Sequence, residues 1–302
     1  MIGRMSLLSR RLLVLVPLAA CLAFPNPAAA AGKKVYVSVD MEGISGLSGD
    51  DQLSSDGAEY GRSRKLMAED ANAAIRGAFA GGATDVLVND AHGGQRNLLP
   101  EDLDPRARLI SHSFKPWGMM QGLDETFDAV IFVGYHAKAS NPAGLVAHTG
   151  SSVVADLEVG GRSVGVGGLN TLLANWYGVP VVLVSGDDVA VAEVRGVATL
   201  ARGVVVKKAL NVRAVELRPL AAARAEIEKE AREAVGSAAR TAPQRTGPFR
   251  VRMRFHNTLI PDIVEAFPSM ERAAPDTIAW SSDTMPAAYR LVRVLYRYVN
   301  PN

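Results

Sequence analysis

The sequence predicts an α/β fold: a mostly parallel sheet flanked by helices, with a smaller C-terminal α+β domain. Two observations carry this. Through the first two thirds of the chain, short apolar, β-branched runs alternate with helix-patterned segments, as expected for strands buried between helices. Near residue 200 the pattern changes to an Ala/Glu/Arg-rich helix and a strand of strict apolar–basic alternation. With 302 residues, 48% apolar and 21% charged, the composition is that of an ordinary globular protein of one or two domains. Disorder, a collagen repeat and a coiled coil are excluded as descriptions of the whole chain.

Residues 34–39 (KVYVSV) form the first expected strand. Asp56 and Glu59, three apart, read as a capping box that opens a helix running to Phe79 and stopping at Gly81 and Gly82. Strands follow at 86–88 and 130–133, then a helix from Leu169 to Tyr177 ended by Gly178, then a strand at 179–184. Beyond residue 200, 220–235 reads as a surface helix. Residues 249–255 read as a half-buried strand, with Phe249, Val251, Met253 and Phe255 on one face and Arg250, Arg252 and Arg254 on the other. Residues 286–298 read as an amphipathic helix with Pro286 in its first turn, and 241–247 (TAPQRTG) as a loop. The expected organisation is a leader over 1–30, a metal-binding α/β domain over 31–200 and the smaller domain over 201–302.

Arg4, Arg10 and Arg11 precede an apolar run from Leu12 to Phe24, followed by prolines and the small residues of an A-x-A site. These are the parts of a secretory signal peptide. Ser9, Arg10 and Arg11 resemble a twin-arginine signal. The stretch LAAC, ending at Cys21, resembles a lipoprotein box. Two outcomes are therefore open: a soluble periplasmic or secreted protein, or a membrane-associated one lipidated at Cys21. Cleavage near Ala30 discards the only cysteine, so no disulfide or thiolate ligand is available and any metal must be held by His, Asp and Glu. Removing the three leader arginines leaves 30 basic against 31 acidic residues, a net charge of −1, which gives no support for a nucleic-acid partner.

Three of the four strands in the first domain run straight into metal-type ligands. The first leads to Asp40 and Glu42, the second to Asp90 and His92, the third to His136. Ligands of open α/β sheets bind beyond the carboxyl ends of the strands. Residues two apart on an extended chain face the same side, so Asp40 and Glu42 can point together. Each residue alone reads more readily as turn or loop chemistry than as a ligand. Their coincidence, in a chain with five histidines, points to zinc or a similar divalent ion, with Asp40 the natural carboxylate to bridge two. His148, in a glycine-flanked loop, is a candidate general base, nucleophile or oxyanion partner, or a structural loop residue. His112 and His256 read as structural. Asp187 and Asp188 follow the fourth strand and read as outer support of the crevice or as turn chemistry. The glycines at 165, 167 and 168 give a weak hint of a phosphate loop.

These residues lie in VSVDMEGISG (37–46), VNDAH (88–92), GYHAK (134–138), HT (148–149), GLN (168–170) and VSGDD (184–188). In that order they resemble the zinc-dependent D-aminopeptidases of the DppA type, peptidase family M55, over about residues 34–299. The resemblance implies an α/β unit with a smaller second domain, ring-like homo-oligomers with sites facing an inner channel, and two Zn2+ per subunit. It implies removal of N-terminal D-residues, especially D-Ala, from short peptides. Position by position, it makes Asp40 the bridging ligand, Glu42, His92 and His136 terminal ligands, and His148 the catalytic histidine. Asp90, Asp187 and Asn170 would support the site or touch substrate, with Asp187 a candidate reader of the substrate amine. One position departs: where the family has a Glu ligand in VGExGLN, this chain reads VGVGGLN over 164–170, with Val166 in its place. Asp156 and Glu158 lie nearby but on the wrong side of the expected turn.

The leading expectation is thus metal-assisted hydrolysis of D-aminoacyl peptides outside the cytoplasm, where cell-wall peptides supply D-Ala. Two rivals stay open: a single-metal D-peptide-binding protein, because of Val166, and a metal-dependent amidase or phosphoesterase, because carboxylate-and-His sites on α/β sheets serve those reactions too.

Overall fold

The structure is a computed structural model, and apart from Met1 it describes residues 32–299. The leader and Cys21 lie outside the described residues. The described residues 32–299 form one compact unit.

The chain begins with β1 (Lys33–Val39), α1 (Tyr60–Ala80), β2 (Ala83–Asp90), β3 (Arg108–Ile110) and β4 (Ala129–Tyr135). There follow β5 (Val154–Val159), β6 (Arg162–Ser163), α2 (Val166–Trp176), β7 (Val181–Asp187), α3 (Asp188–Arg195), β8 (Arg202–Ala209) and β9 (Val215–Leu217). The last third holds α4 (Leu220–Ser237), β10 (Phe249–Phe255), α5 (Leu259–Val264), β11 (Glu271–Ala274), β12 (Thr277–Ser282) and α6 (Met285–Arg297).

A seven-stranded sheet runs β3-β2-β1-β4-β7-β8-β9, parallel except for the β8–β9 edge. Its central strands are buried on both faces, so alternate residues serve two cores. Val35, Val37, Val39, Ile131 and Val133 pack towards α1 and α4. Tyr36, Val130 and Phe132 pack on the opposite side with α2, α6 and the second sheet. That second sheet, β11-β12-β10-β5-β6, is antiparallel. In β10 the alternation is as the sequence predicts: Val251, Met253 and Phe255 are buried, and the arginines between them exposed.

Several sequence expectations need correction. The two sheets do not divide at residue 200: β8 and β9 extend the parallel sheet, and the β5–β6 hairpin at 154–163 joins the antiparallel one. Cross-strand partners such as Glu158 and Arg252 are far apart in the chain, which local periodicity cannot report. The capping box does not form. Helix α1 starts at Tyr60 without a side-chain cap; Asp56 instead accepts the Ser54 hydroxyl, and Glu59 accepts the Gln52 amide at 2.8 Å. The glycine-rich stretch is no phosphate loop, because the strand before it, β6, belongs to an antiparallel hairpin rather than a βαβ unit. Gly167 serves packing: a Cβ there would lie 2.3 Å from the Val194 side chain of α3.

Candidate metal centre

The order of neighbouring strands decides the site. β1 lies between β2 and β4, and Val39 is in register with both Asp90 and Val133. The chain therefore leaves all three strands at one level of the carboxyl edge. Backbone bonds tie the exits together: Asp40 N–H donates to Val133 O (2.8 Å), Ala91 N–H to Val39 O (2.8 Å) and Gly43 N–H to Gly134 O (2.8 Å). Gly134 has φ +72°, and a Cβ there would stand 2.3 Å from Asp40 O, so only glycine lets β4 run this close.

Asp40, Glu42, His92 and His136 are all buried, and His148 comes in from the following loop, half-buried. His92 Nδ1 lies 3.0 Å from Glu42 Oε1 and 3.5 Å from Asp40 Oδ1. His136 Nε2 lies 3.6 Å from Asp40 Oδ2, and His148 Nε2 lies 3.8 Å from Glu42 Oε1. The His136 and His148 rings stack at 3.8 Å between centroids. Two overlapping triads result, Asp40/Glu42/His92 and Glu42/His136/His148, each with donor atoms within 4.8 Å of one another.

The protein also fixes which nitrogen faces inward. His92 Nε2 contacts Leu53 O (3.1 Å), His136 Nδ1 contacts Ala137 O (2.9 Å), and His148 Nδ1 contacts Val146 O (2.9 Å). A carbonyl only accepts, so each of these nitrogens carries the hydrogen. The other nitrogen of each neutral ring then presents a lone pair to the carboxylates. This is the outer-shell arrangement that orients histidine ligands. The contact between His92 Nδ1 and Glu42 is close but not aligned as a hydrogen bond. His92 Nδ1 and Glu42 Oε2 are both buried without a hydrogen-bond partner.

Lone pairs facing carboxylates in a dry crevice repel unless positive charge stands among them. The protonation equilibria express this strain. Burial, and then the Glu42 charge, push the Asp40 pKa well above the usual carboxylate range. Burial also acts to raise Glu42, but His92, His136 and His148 outweigh it and hold it well below that range. For His92 burial acts downward, yet Glu42 and Asp40 win and its pKa is well raised: a proton is recruited where a cation would serve. Burial, with His148 beside it, pushes His136 down to about 3, leaving a neutral imidazole with its lone pair free. The donor set, its two unpartnered buried atoms and its excess of acceptors fit a divalent ion such as zinc.

Of the supporting residues, Asp90 is buried and accepts from Asn97 N–H (2.5 Å), Asn97 Nδ2 (2.8 Å) and Leu98 N–H (2.8 Å). Asn97 Nδ2 also donates to His92 O (2.8 Å), so Asp90 clamps the loop that carries His92. Asp187 does not face the crevice. Its oxygens accept Ala190 N–H (2.8 Å), capping α3, and Leu145 N–H (3.3 Å), anchoring the loop before His148. Asn170 bridges Tyr135 Oη and Tyr289 Oη, both at 2.9 Å, within a buried polar ladder beneath the crevice. Asp90, Asp187 and Asn170 line none of the hollows at the site. His112 and His256 are exposed and stand apart from the cluster.

Val166 does line the crevice, with Asp40, Glu42, His136 and His148. Asp156 is engaged elsewhere, by the hydroxyls of Ser140 (3.0 Å) and Ser163 (2.6 Å). Two lysines escaped the sequence reading. Lys207 Nζ donates to Glu42 O (2.6 Å), Ile44 O (3.1 Å) and Leu47 O (3.0 Å), fixing the turn that carries Glu42. Lys115 Nζ donates to Asn89 Oδ1 (2.8 Å) and Asp90 O (2.5 Å) behind the His92 loop. A lysine inside an apolar strand, as in VVVKKA over 204–209, is the one signal that pointed to Lys207; nothing local marked Lys115.

Residues 33–294 match the family described as D-aminopeptidase, Peptidase_M55. Over 199 residues the chain is 44% identical to the D-aminopeptidase of Bacillus subtilis (strain 168), an alignment covering 66% of this chain and 72% of that one. The solved structure of the Zn-dependent D-aminopeptidase DppA from Bacillus subtilis, described as a self-compartmentalizing protease, superposes with a TM-score of 0.83 at 34% identity. That match covers 89% of this chain and 99% of the other. With its ordered motifs, its fold and its cluster of buried donors, the chain belongs to the M55 family of D-aminopeptidases.

Proposed function

We propose that this chain is an exported, zinc-dependent aminopeptidase that releases N-terminal D-amino acids, D-Ala among them, from short peptides of cell-wall origin. The observation that carries the reading is the convergence of three oriented histidines on two buried carboxylates, in a member of a D-aminopeptidase family. Asp40, Glu42, His92 and His136 would hold the metal. Asp40 turns one oxygen to His92 and the other to His136, so it could serve as a ligand on both sides of the site. Val166 offers no donor on the His136 side, so one firmly held ion per subunit is the expected stoichiometry, with a second weakly bound. The chemistry such an ion supplies when bound is Lewis-acid polarisation of a peptide carbonyl and acidification of water.

The chain's own residues supply the rest. His148 is fixed by Val146 O with Nε2 turned inward, at the border between the crevice and an open cleft of about 630 Å³. It takes at Nε2 the proton of the water whose oxygen adds to the peptide carbonyl, and returns it to the leaving amine as the C–N bond breaks. The cleft, lined by Leu53, Val146, Ser151 and Ser152 among others, has the volume of a small-ligand site and admits a short peptide. Asp90, Lys115 and Lys207 hold the loops so that the donors meet without rearrangement.

The leader pattern supports a place outside the cytoplasm, with Cys21 the only route to lipid attachment. The self-compartmentalizing relative supports a ring of subunits. The test is hydrolysis of D-Ala-D-Ala and D-Ala-p-nitroanilide beside their L-forms by zinc-loaded protein. Turnover of the D-forms at least about 100-fold faster supports the reading; none on any D-substrate at full metal content removes it. Val166 favours one alternative, a single-metal D-peptide-binding protein, which would bind these peptides without cleaving them.

A further inference from the structure

Beside the metal crevice lies a second hollow, of about 230 Å³, which shares Leu53, Ser54 and His92 with the lining of the open cleft. The two voids are continuous in their lining: Gly93 and Arg297 border both, and His92 borders the hollow. The hollow holds two guanidinium groups, Arg96 and Arg297, with the hydroxyls of Ser54 and Ser55, and no carboxylate lines it. Among the described residues neither arginine makes an ion pair. Arg297 Nη2 reaches only Gly93 O, at 3.4 Å, and Arg96 lies over Gly94. Asp56 and Glu59, close to Ser54 and Ser55 in the chain, are engaged elsewhere: Asp56 accepts Ser54, and Glu59 accepts Gln52 and Arg62.

Arg106 and Arg108, by contrast, are paired with acids. Arg96 and Arg297 bring two guanidiniums to the lining of one concave surface, beside the candidate ligand His92. The planar fork of arginine matches a carboxylate. Arg297 contacts the carbonyl of Gly93, the residue that follows His92. Because Gly93 and Arg297 line both voids, the hollow adjoins the crevice.

We propose that Arg96 and Arg297 form a carboxylate-binding subsite that receives the C-terminal carboxylate of the residue following the scissile bond. The inference rests on the aminopeptidase reading and deepens it: the preferred substrate is a dipeptide with a free C-terminus. Longer peptides lose this contact, because their carboxylate lies beyond the reach of the hollow. Arg96 and Arg297 act in substrate selection, not in the proton transfers.

The test compares wild type, Arg96→Gln, Arg297→Gln and the double variant, all zinc-loaded. One arm measures kcat/KM on D-Ala-D-Ala and on D-Ala-D-Ala amide. The second measures calorimetric binding of N-acetyl-D-Ala-D-Ala and its amide, which carry no free amine and report binding without cleavage. The expected result is a five- to tenfold preference for the free acid in both arms. It falls to less than twofold in the double variant, through KM with kcat nearly unchanged, while melting temperature and zinc content stay as in wild type. Equal handling of acid and amide by wild type, an acid preference that survives in the double variant, or no acid-dependent binding in the calorimetric arm overturns the subsite. Absence of turnover with the binding preference intact counts against the hydrolase reading and leaves the subsite standing.

Discussion

On one side of the crevice, Asp40 and Glu42 meet His92, whose loop is tied down by Asp90, Asn97 and Lys115. On the other side, Asp40 and Glu42 meet His136 and His148, which stack on each other beside Val166. The first half is rich in donors and rigidly braced. The second has its histidines oriented but an isopropyl group where a further oxygen could sit. The comparison teaches that orientation and ligand count are separate properties: the histidines of both halves are oriented by backbone carbonyls, while Val166 beside His136 and His148 offers no donor.

Breaking the braced half has the largest expected effect. His92→Ala or Asp40→Asn removes a buried donor, and bound zinc and turnover both fall by more than about 100-fold, measured by elemental analysis and by the D-Ala-D-Ala assay. The same change on the other half separates function from binding. His148→Ala keeps zinc content near wild type and lowers kcat by roughly 100- to 10,000-fold, the span of general acid–base contributions. If zinc is lost in step with activity, His148 is a ligand and the two halves are not distinct in the way described.

The outer brace is next. Asn97→Ala frees one Asp90 oxygen and the His92 carbonyl, and lowers zinc affinity about 10- to 100-fold by competition titration. The stability cost is about 1–3 kcal/mol by denaturant melts. Val166→Glu sharpens the contrast from the weak side, raising zinc content from near one to near two ions per subunit; an unchanged content would mean that the position does not reach the metal.

The smallest effect is a pH slope. Burial, with Arg293 adding to it, pushes Lys115 down to about 8. The unfolded lysine, at about 10.4, binds more protons between these values, so this group makes stability rise with pH from 8 to 10 and lowers it below 8. Lys115→Met should lose that rise, read as the difference between melting temperatures at pH 8 and pH 10.

Much of the centre was legible because its residues follow buried strands directly. VSVD, VLVND and VGYH each carry an apolar run into a polar ligand, and a parallel sheet places those exits along one edge. What local sequence could not reveal is who else competes for a side chain. Asp187 looked like a crevice acid, but the first turn of α3 and the Leu145 amide take both of its oxygens. Asp56 and Glu59 had the spacing of a capping box, but Ser54, Gln52 and Arg62 claim them. The antiparallel sheet was half-legible: β10 shows its alternation, while its partner β5 comes from a hairpin inserted about 90 residues earlier. Lys115 has no local mark because its role lies in three-dimensional contacts with the Asn89 side chain and the Asp90 carbonyl, and the lysine in the apolar strand VVVKKA does not by itself say which carbonyls Lys207 reaches.

The account stands or falls on whether this cluster holds a metal. The direct measurement is zinc per subunit in protein purified without added metal and again after reconstitution and desalting, with His92→Ala as control. The account predicts about one ion per wild-type subunit and almost none in the variant. Wild-type protein that retains no ion after reconstitution, or a variant that retains as much as wild type, would contradict it.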